Sequence, residues 1–154
     1  MKQLFRTIAI TFMLSVAASP SFSQTGKTET YPPIDSDALE QFGGPEGVRN
    51  WVESLFYYIM LDNRINHVFR EFGNIERQIY LNTQLLQLVL GGNEVEYQGA
   101  SMAAAHADLG ITLTQFNAVV EAAYNACERI QLTYEACNLM IAGLAPYKHA
   151  IVTR

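Results

Sequence analysis

The sequence predicts an all-α domain, and three observations carry that prediction. Apolar residues recur at helical spacing over most of the chain after position 36. No alternating Val/Ile/Thr run and no Asn-Gly hairpin signal accompanies them. Gly-Gly pairs, at Gly43-Gly44 and Gly91-Gly92, punctuate the periodic segments. The 154 residues suffice for one domain with its own core, and a composition 49% hydrophobic and 16% charged is that of a globular chain.

The first 23 residues, MKQLFRTIAITFMLSVAASPSFS, are expected to be removed. Lys2 and Arg6 precede an apolar stretch over 7–18, and small, Pro-broken sequence follows: the pattern of a secretory signal peptide. Twelve residues of helix reach about 18 Å, short of a roughly 30 Å hydrocarbon core, so a retained anchor is the weaker reading and no membrane span is expected in the mature protein. The small-residue rule places cleavage after Ser23, with Ser21 at the −3 position. The protein is then exported, to a periplasm or outside the cell. Residues 24–35, polar and carrying Pro32 and Pro33, read as a flexible N-terminal arm, and the domain occupies 36–154.

The helices follow in order. Ser36 or Asp37 can cap a short helix ending at Gly43-Gly44. Pro45 suits the first turn of a second helix that places Val48, Val52, Leu55, Phe56, Ile59 and Met60 on one face. Asn74 can cap a third, with Ile75, Ile79, Leu85, Leu86 and Val89 as its apolar face and Gln78 and Asn82 along its flank. Ser101 starts a short helix holding His106 and ended by Gly110. Thr112 or Thr114 caps a long helix to about Arg129. Thr133 caps a last one, from Glu135 to about His149, crossed by Pro146. About six helices result.

In an exported chain an even cysteine count suggests a bridge. Cys127 and Cys137 flank the break at 130–133; if the two helices run antiparallel, a disulfide can form between them, the alternative being two buried free thiols.

The chemistry centres on His106, in GASMAAAHADLGIT (99–112). The stretch contains no second histidine; Met102 and Leu109 lie a turn away on either side, which by itself is the composition of a core stripe. A zinc site lacks its pattern, with no HExxH, no CxxC and no second His within a turn. A nucleophilic triad lacks its elbow, with no GxSxG. A formal charge of −5, deepening to −7 once Lys2 and Arg6 are lost, and no basic stretch interleaved with aromatics, argue against nucleic acid as partner. One metal group needs a single protein histidine. Haem brings four nitrogens of its own and asks for one axial imidazole and an apolar pocket. Phe56, Phe69, Leu86, Met102 and Phe116 could line that pocket, with Gln78 and Asn82 supplying amides over the open face.

At these residues the chain resembles the group I truncated haemoglobins, over about 36–152. The likeness is carried by Phe42-Gly43-Gly44, by Asp62-Asn63-Arg64-Ile65, by Phe69 in HVF, by Gly91-Gly92, and above all by Tyr97-Gln98-Gly99-Ala100-Ser101-Met102 leading to His106 and Leu109-Gly110-Ile111-Thr112, with Phe116 following. The resemblance implies a truncated globin fold, two helix pairs sandwiching haem b, with His106 holding iron through Nε2 and a backbone carbonyl as the expected partner of its other ring nitrogen. It places Phe69 against the haem at the corner after the second helix, Phe56 at that helix's inward distal position, and Gln78 and Asn82 at the two distal-facing positions of the next. It implies reversible binding of a diatomic gas, oxygen first, with nitric oxide and carbon monoxide also fitting. The enzymatic alternatives are nitric oxide dioxygenation, which also requires an electron donor, and peroxidase-like chemistry. A haem-free interaction domain on the same fold is a third class, and Gln78 or a swung His67 on the iron a further variant of the site.

The chain departs from the pattern on the distal side. Phe56 stands where the family commonly has a Tyr whose hydroxyl donates to the bound ligand. Tyr57 and Tyr58 point about 100° and 200° away on an ideal helix and do not replace it. Asn82 stands in place of a common Gln, Leu81 in place of a polar residue, and Leu85 in place of a Phe that lines a gas path. One extra residue falls between Phe69 and Gln78. His67 is expected at a surface or corner, and His149 in solvent.

Overall fold

A computed structural model describes residues 37–71 and 73–154. The expected signal peptide (1–23), the arm (24–35) and Ser36 lie outside the described residues. Eight α-helices follow in order: α1 (Ala38–Gln41), α2 (Gly44–Leu61), α3 (Asn66–Glu71), α4 (Ile75–Val89), α5 (Met102–His106), α6 (Leu113–Arg129), α7 (Tyr134–Leu144) and, after a 3-10 turn at Ala145–Tyr147, α8 (Lys148–Ile151). No strand occurs among the described residues. The all-α prediction is thus correct, with two more helices than expected. α3 is a corner helix without a buried residue, so it carries no apolar stripe for a sequence to show. α8 exists because Pro146 has no N–H to continue α7; the chain tightens there into a 3-10 turn before resuming.

The local starts obey short-range rules. The side chains of Asn74, Ser101 and Thr133 accept from the backbone N–H three residues on, at 3.0, 3.2 and 3.2 Å. Thr112 does the same from Gln115, whose side chain returns to the Thr112 N–H at 2.9 Å, closing a capping box. Asp37 begins α1 without a side-chain cap. Gly91, with φ of +86°, turns the chain off α4 in a conformation a side chain resists. At the α1–α2 corner the demand on glycine is spatial: a Cβ on Gly47 would overlap the Phe42 carbonyl.

α2 lies between α4 and α6, and α7 touches both α4 and α6, so the four long helices pack as two pairs. α6 presents Ala118, Ala122, Ala123 and Ala126 as buried residues, small enough for a close helix approach. Against them α2 buries Val48, Val52, Leu55, Phe56 and Ile59 as expected, and also Trp51 and Ser54, which the apolar periodicity did not single out; Met60 is half-buried. Trp51 stands edge-on to Phe42 with centroids 6.4 Å apart, and its indole N–H donates to Cys127 Sγ at 3.0 Å. Cys127 and Cys137 form a disulfide, S–S 2.07 Å and Cα–Cα 6.1 Å, joining α6 to α7 across the turn. At the α2–α3 corner Arg64 grips both Asp62 carboxylate oxygens, its Nη2 reaching one at 2.6 Å, and also bonds Glu121 of α6 at 2.5 Å. The Arg64 guanidinium, by donating to Asp62, holds that carboxyl below its ordinary value. No helix among the described residues is long and apolar enough to cross a membrane.

α5 stands apart from this arrangement. It packs on α8 rather than on α4. Met102 and Ile111 are buried, yet neither joins the continuous apolar cluster that unites α1, α2, α4, α6 and α7.

Candidate functional site

His106 is the last residue of α5. The helix ends four residues sooner than Gly110 suggested, because Ala107 is extended and Asp108 takes a left-handed conformation, φ +61°. The imidazole is half-buried, and Nδ1 lies 2.8 Å from the Met102 carbonyl one turn back. A carbonyl only accepts, so Nδ1 is the protonated nitrogen and Nε2 carries the lone pair of the neutral ring. That bond fixes both tautomer and ring orientation, as an orienting contact behind a metal ligand does. Ser101 caps the helix from below, and Met102 is buried beneath the ring's own element.

A second group of the expected site residues comes from three elements. Phe56 of α2 is 3% exposed and meets Phe69 of α3 edge-on, centroids 5.7 Å apart and planes at 86°. Gln78 of α4 donates from Nε2 to the Phe69 carbonyl at 3.0 Å. Asn82, one turn on, donates from Nδ2 to the Gln78 carbonyl at 2.9 Å. Phe56, Phe69, Gln78 and Asn82 therefore form one connected cluster. Each amide spends one N–H on a main-chain carbonyl and keeps one, so the two side chains are held locally rather than free over an open face. Leu86 is fully buried in the continuous core, and Phe116 is half-buried in the first turn of α6. His67 is exposed on α3 and His149 on α8, as expected.

The donor set around His106 suits a group that brings its own ligands. Among the described residues no three His, Cys, Asp or Glu side chains gather as a metal cluster, and both cysteines are spent on each other. A lone imidazole whose Nδ1 is bonded to a backbone carbonyl, on a segment outside the main core, is the donor set that a single protein ligand to haem iron requires. A surface hollow of about 200 Å³ lies elsewhere, between α2 and α6 at Tyr58, Arg64, Glu121 and Asn125. Its rim is the Arg64 ion pair, and it contains neither a lone imidazole nor an apolar wall of this kind.

Gln84 is a residue the periodicity missed: it is buried on α4 and bonds the backbone of Gln98 at 3.1 Å. Its only sequence signal is Tyr80 four residues earlier, which also reaches Gln98.

No protein-family profile matches the chain. Two curated relatives do, both named group 1 truncated hemoglobin. The one from Tetrahymena thermophila is 29% identical over 83 residues, 54% of this chain and 67% of the relative. The one from Tetrahymena pyriformis is 27% identical over 82 residues, 53% of this chain and 66% of the relative. The matched stretch thus spans about two thirds of each. Among solved structures, the ferric truncated hemoglobin of T. pyriformis superposes with a TM-score of 0.71 at 20% identity, covering 76% of this chain and 98% of that one. A 2/2 hemoglobin from a Synechococcus species, solved with covalently attached heme, gives 0.69 at 22% identity over 76% and 98%. A group II truncated hemoglobin from Bacillus anthracis gives 0.67 at 19% identity over 80% and 94%. The fold is that of the truncated haemoglobins. Backbone likeness extends to both group I and group II; the sequence likeness is to group 1.

Proposed function

We propose that this chain binds haem b through His106 Nε2 and reversibly binds a diatomic gas, oxygen first, with nitric oxide and carbon monoxide also fitting. The observation that carries the reading is the 2.8 Å bond from His106 Nδ1 to the Met102 carbonyl, which orients the ring and leaves Nε2 as the nitrogen available to iron, in a truncated-haemoglobin fold. Haem, when bound, would supply the iron that takes the gas. His106 holds that iron; the Met102 carbonyl raises the basicity of the imidazole by accepting its other proton. Phe56 and Phe69 exclude water from the opposite side, and the remaining N–H of Gln78 or Asn82 can donate to a ligand there. Attachment of haem through a cysteine is not available to this chain: both cysteines are in the disulfide, and the sequence has no CxxCH motif.

The basic and apolar pattern of residues 1–23 supports export, to a periplasm or beyond the cell. The Cys127–Cys137 disulfide fits an oxidising compartment.

Adding haemin to the purified chain tests the reading. A Soret band is expected, lost in His106→Ala and restored by added imidazole at unchanged helical circular dichroism. An undiminished band in His106→Ala removes His106 as the ligand. Rapid mixing of oxygen-equilibrated protein with nitric oxide separates carrier from dioxygenase: slow or absent nitrate formation is expected.

A further inference from the structure

Gln84 has no part in the haem reading, yet it is 7% exposed, an unusual cost for an amide on a helix face. Its Oε1 accepts from the backbone N–H of Gln98, 14 residues further on, at 3.1 Å. Tyr80, one turn earlier on the same face of α4, donates its hydroxyl to Gln98 Oε1 at 3.4 Å. Two side chains thus grip one residue. At 100° per residue, Tyr80 and Gln84 each lie about 160° round the helix from Asn82. The segment 90–101 is therefore held against the back of α4 before it delivers α5.

The link from this grip to His106 is short and internally tied. Residues 99–101 alone separate Gln98 from α5. Tyr97 donates its hydroxyl to the Ala100 carbonyl at 3.0 Å, and Ser101 caps α5. A Cβ on Gly99 would overlap the Tyr97 ring, so the turn closes tightly there. Beyond His106 the chain is anchored again: the Ile111 carbonyl accepts from the N–H groups of Thr153 and Arg154 at 3.1 and 3.2 Å. His106 lies between these two anchors, and the first ties its segment to α4.

We propose that Gln84 is a positioning residue: its bond to the Gln98 N–H fixes α5 relative to the helix that carries Gln78 and Asn82, and so sets the spacing between His106 and the distal side. The consequence for haem rests on the function proposed above; the strap belongs to the chain with or without haem.

Two variants of the full chain test it. Gln84→Leu keeps the volume and removes the acceptor; Gln98→Pro removes the donor from the exposed end. In haem-free protein, hydrogen exchange by NMR is expected to quicken about tenfold at Gln98 in Gln84→Leu, as for one lost hydrogen bond, and at Ala105 and His106 in both variants, with α6 unchanged. In haem-loaded protein the iron–histidine Raman band is expected to shift or broaden, and haem to transfer to apomyoglobin about tenfold faster. Unchanged exchange at Ala105 and His106 overturns the proposal, as does an unchanged Raman band in a haem-loaded variant. Wild-type protein that takes up no haem overturns the haem reading, and exchange at His106 then decides the strap alone. Should Gln84→Leu fail to fold, Gln98→Pro decides by the same measurements.

Discussion

On the proposed function, Phe56 is the residue that stands in place of a donor to the gas. It is buried edge-on to Phe69, so a hydroxyl added at its para position has few partners besides a ligand. A hydrogen bond to that ligand is worth about 0.5–1.5 kcal/mol, and Phe56→Tyr is expected to slow oxygen dissociation by roughly two- to tenfold. An unchanged rate shows that the ring does not face the gas. A different residue governs the acid limb. Asp62 has its carboxyl held below the ordinary 3.8 by the Arg64 side-chain bond and then by the Arg64 backbone N–H. A depressed folded value stabilises the protein above the unfolded one, and that contribution is lost as pH falls through the folded value. Asp62→Asn is therefore expected to melt below wild type at neutral pH, with the two melting temperatures converging as pH falls through the lowered Asp62 value. A gap that persists in acid assigns the effect to something other than the charge.

The α6–α7 corner shows what one covalent tie does for two elements. Cys127 and Cys137 close a loop ten residues apart in sequence, for which chain entropy predicts about 3 kcal/mol of stabilisation. Cys137→Ala leaves a small hole as well, so the paired variant Cys127→Ala/Cys137→Ala is compared with tris-phosphine-treated wild type. Both are expected to melt roughly 10 °C lower. Trp51 donates to Cys127 Sγ, so its emission should rise in the variant as the quenching disulfide goes. A common melting temperature with oxidised wild type shows that the bridge adds nothing to the fold. This corner also shows which elements were legible beforehand. Thr133, Thr112, Asn74 and Ser101 announce helix starts because a cap joins residues three apart, and the sequence states both ends of that bond. α3 has no buried residue, so periodicity had nothing to report. Pro146 marked a break, but where α8 resumes depends on its packing against α5. The backbone-carbonyl partner expected for His106 is a local contact four residues back, whereas Gln84 was not legible, because its partner is a backbone N–H on a distant loop, fixed only by tertiary structure.

At the scale of the whole molecule, one continuous apolar cluster unites α1, α2, α4, α6 and α7, and the buried Leu85, Met102 and Ile111 lie outside it. Phe69, Leu81, Leu109 and Phe116 are only half-buried. Half-burial of these apolar groups leaves surface that a flat apolar group could cover, at about 25 cal/mol for each Å² removed from water. Haem would then complete the core as well as serve the chemistry, and α5, with its few ties to the rest, would gain most. A ligand that binds only the folded chain stabilises it by about 4 kcal/mol at a thousandfold excess over its dissociation constant. Haem loading is therefore expected to raise the melting temperature by roughly 10 °C or more. The gain should fall mainly on the α5 segment in hydrogen exchange, while α6 and the disulfide corner, already locked, should change little. The same comparison in His106→Ala separates the two contributions: apolar covering alone should persist in part when the axial bond is removed. Equal melting of haem-free and haem-treated wild type would mean that haem does not cover these half-buried side chains, which then serve some other surface.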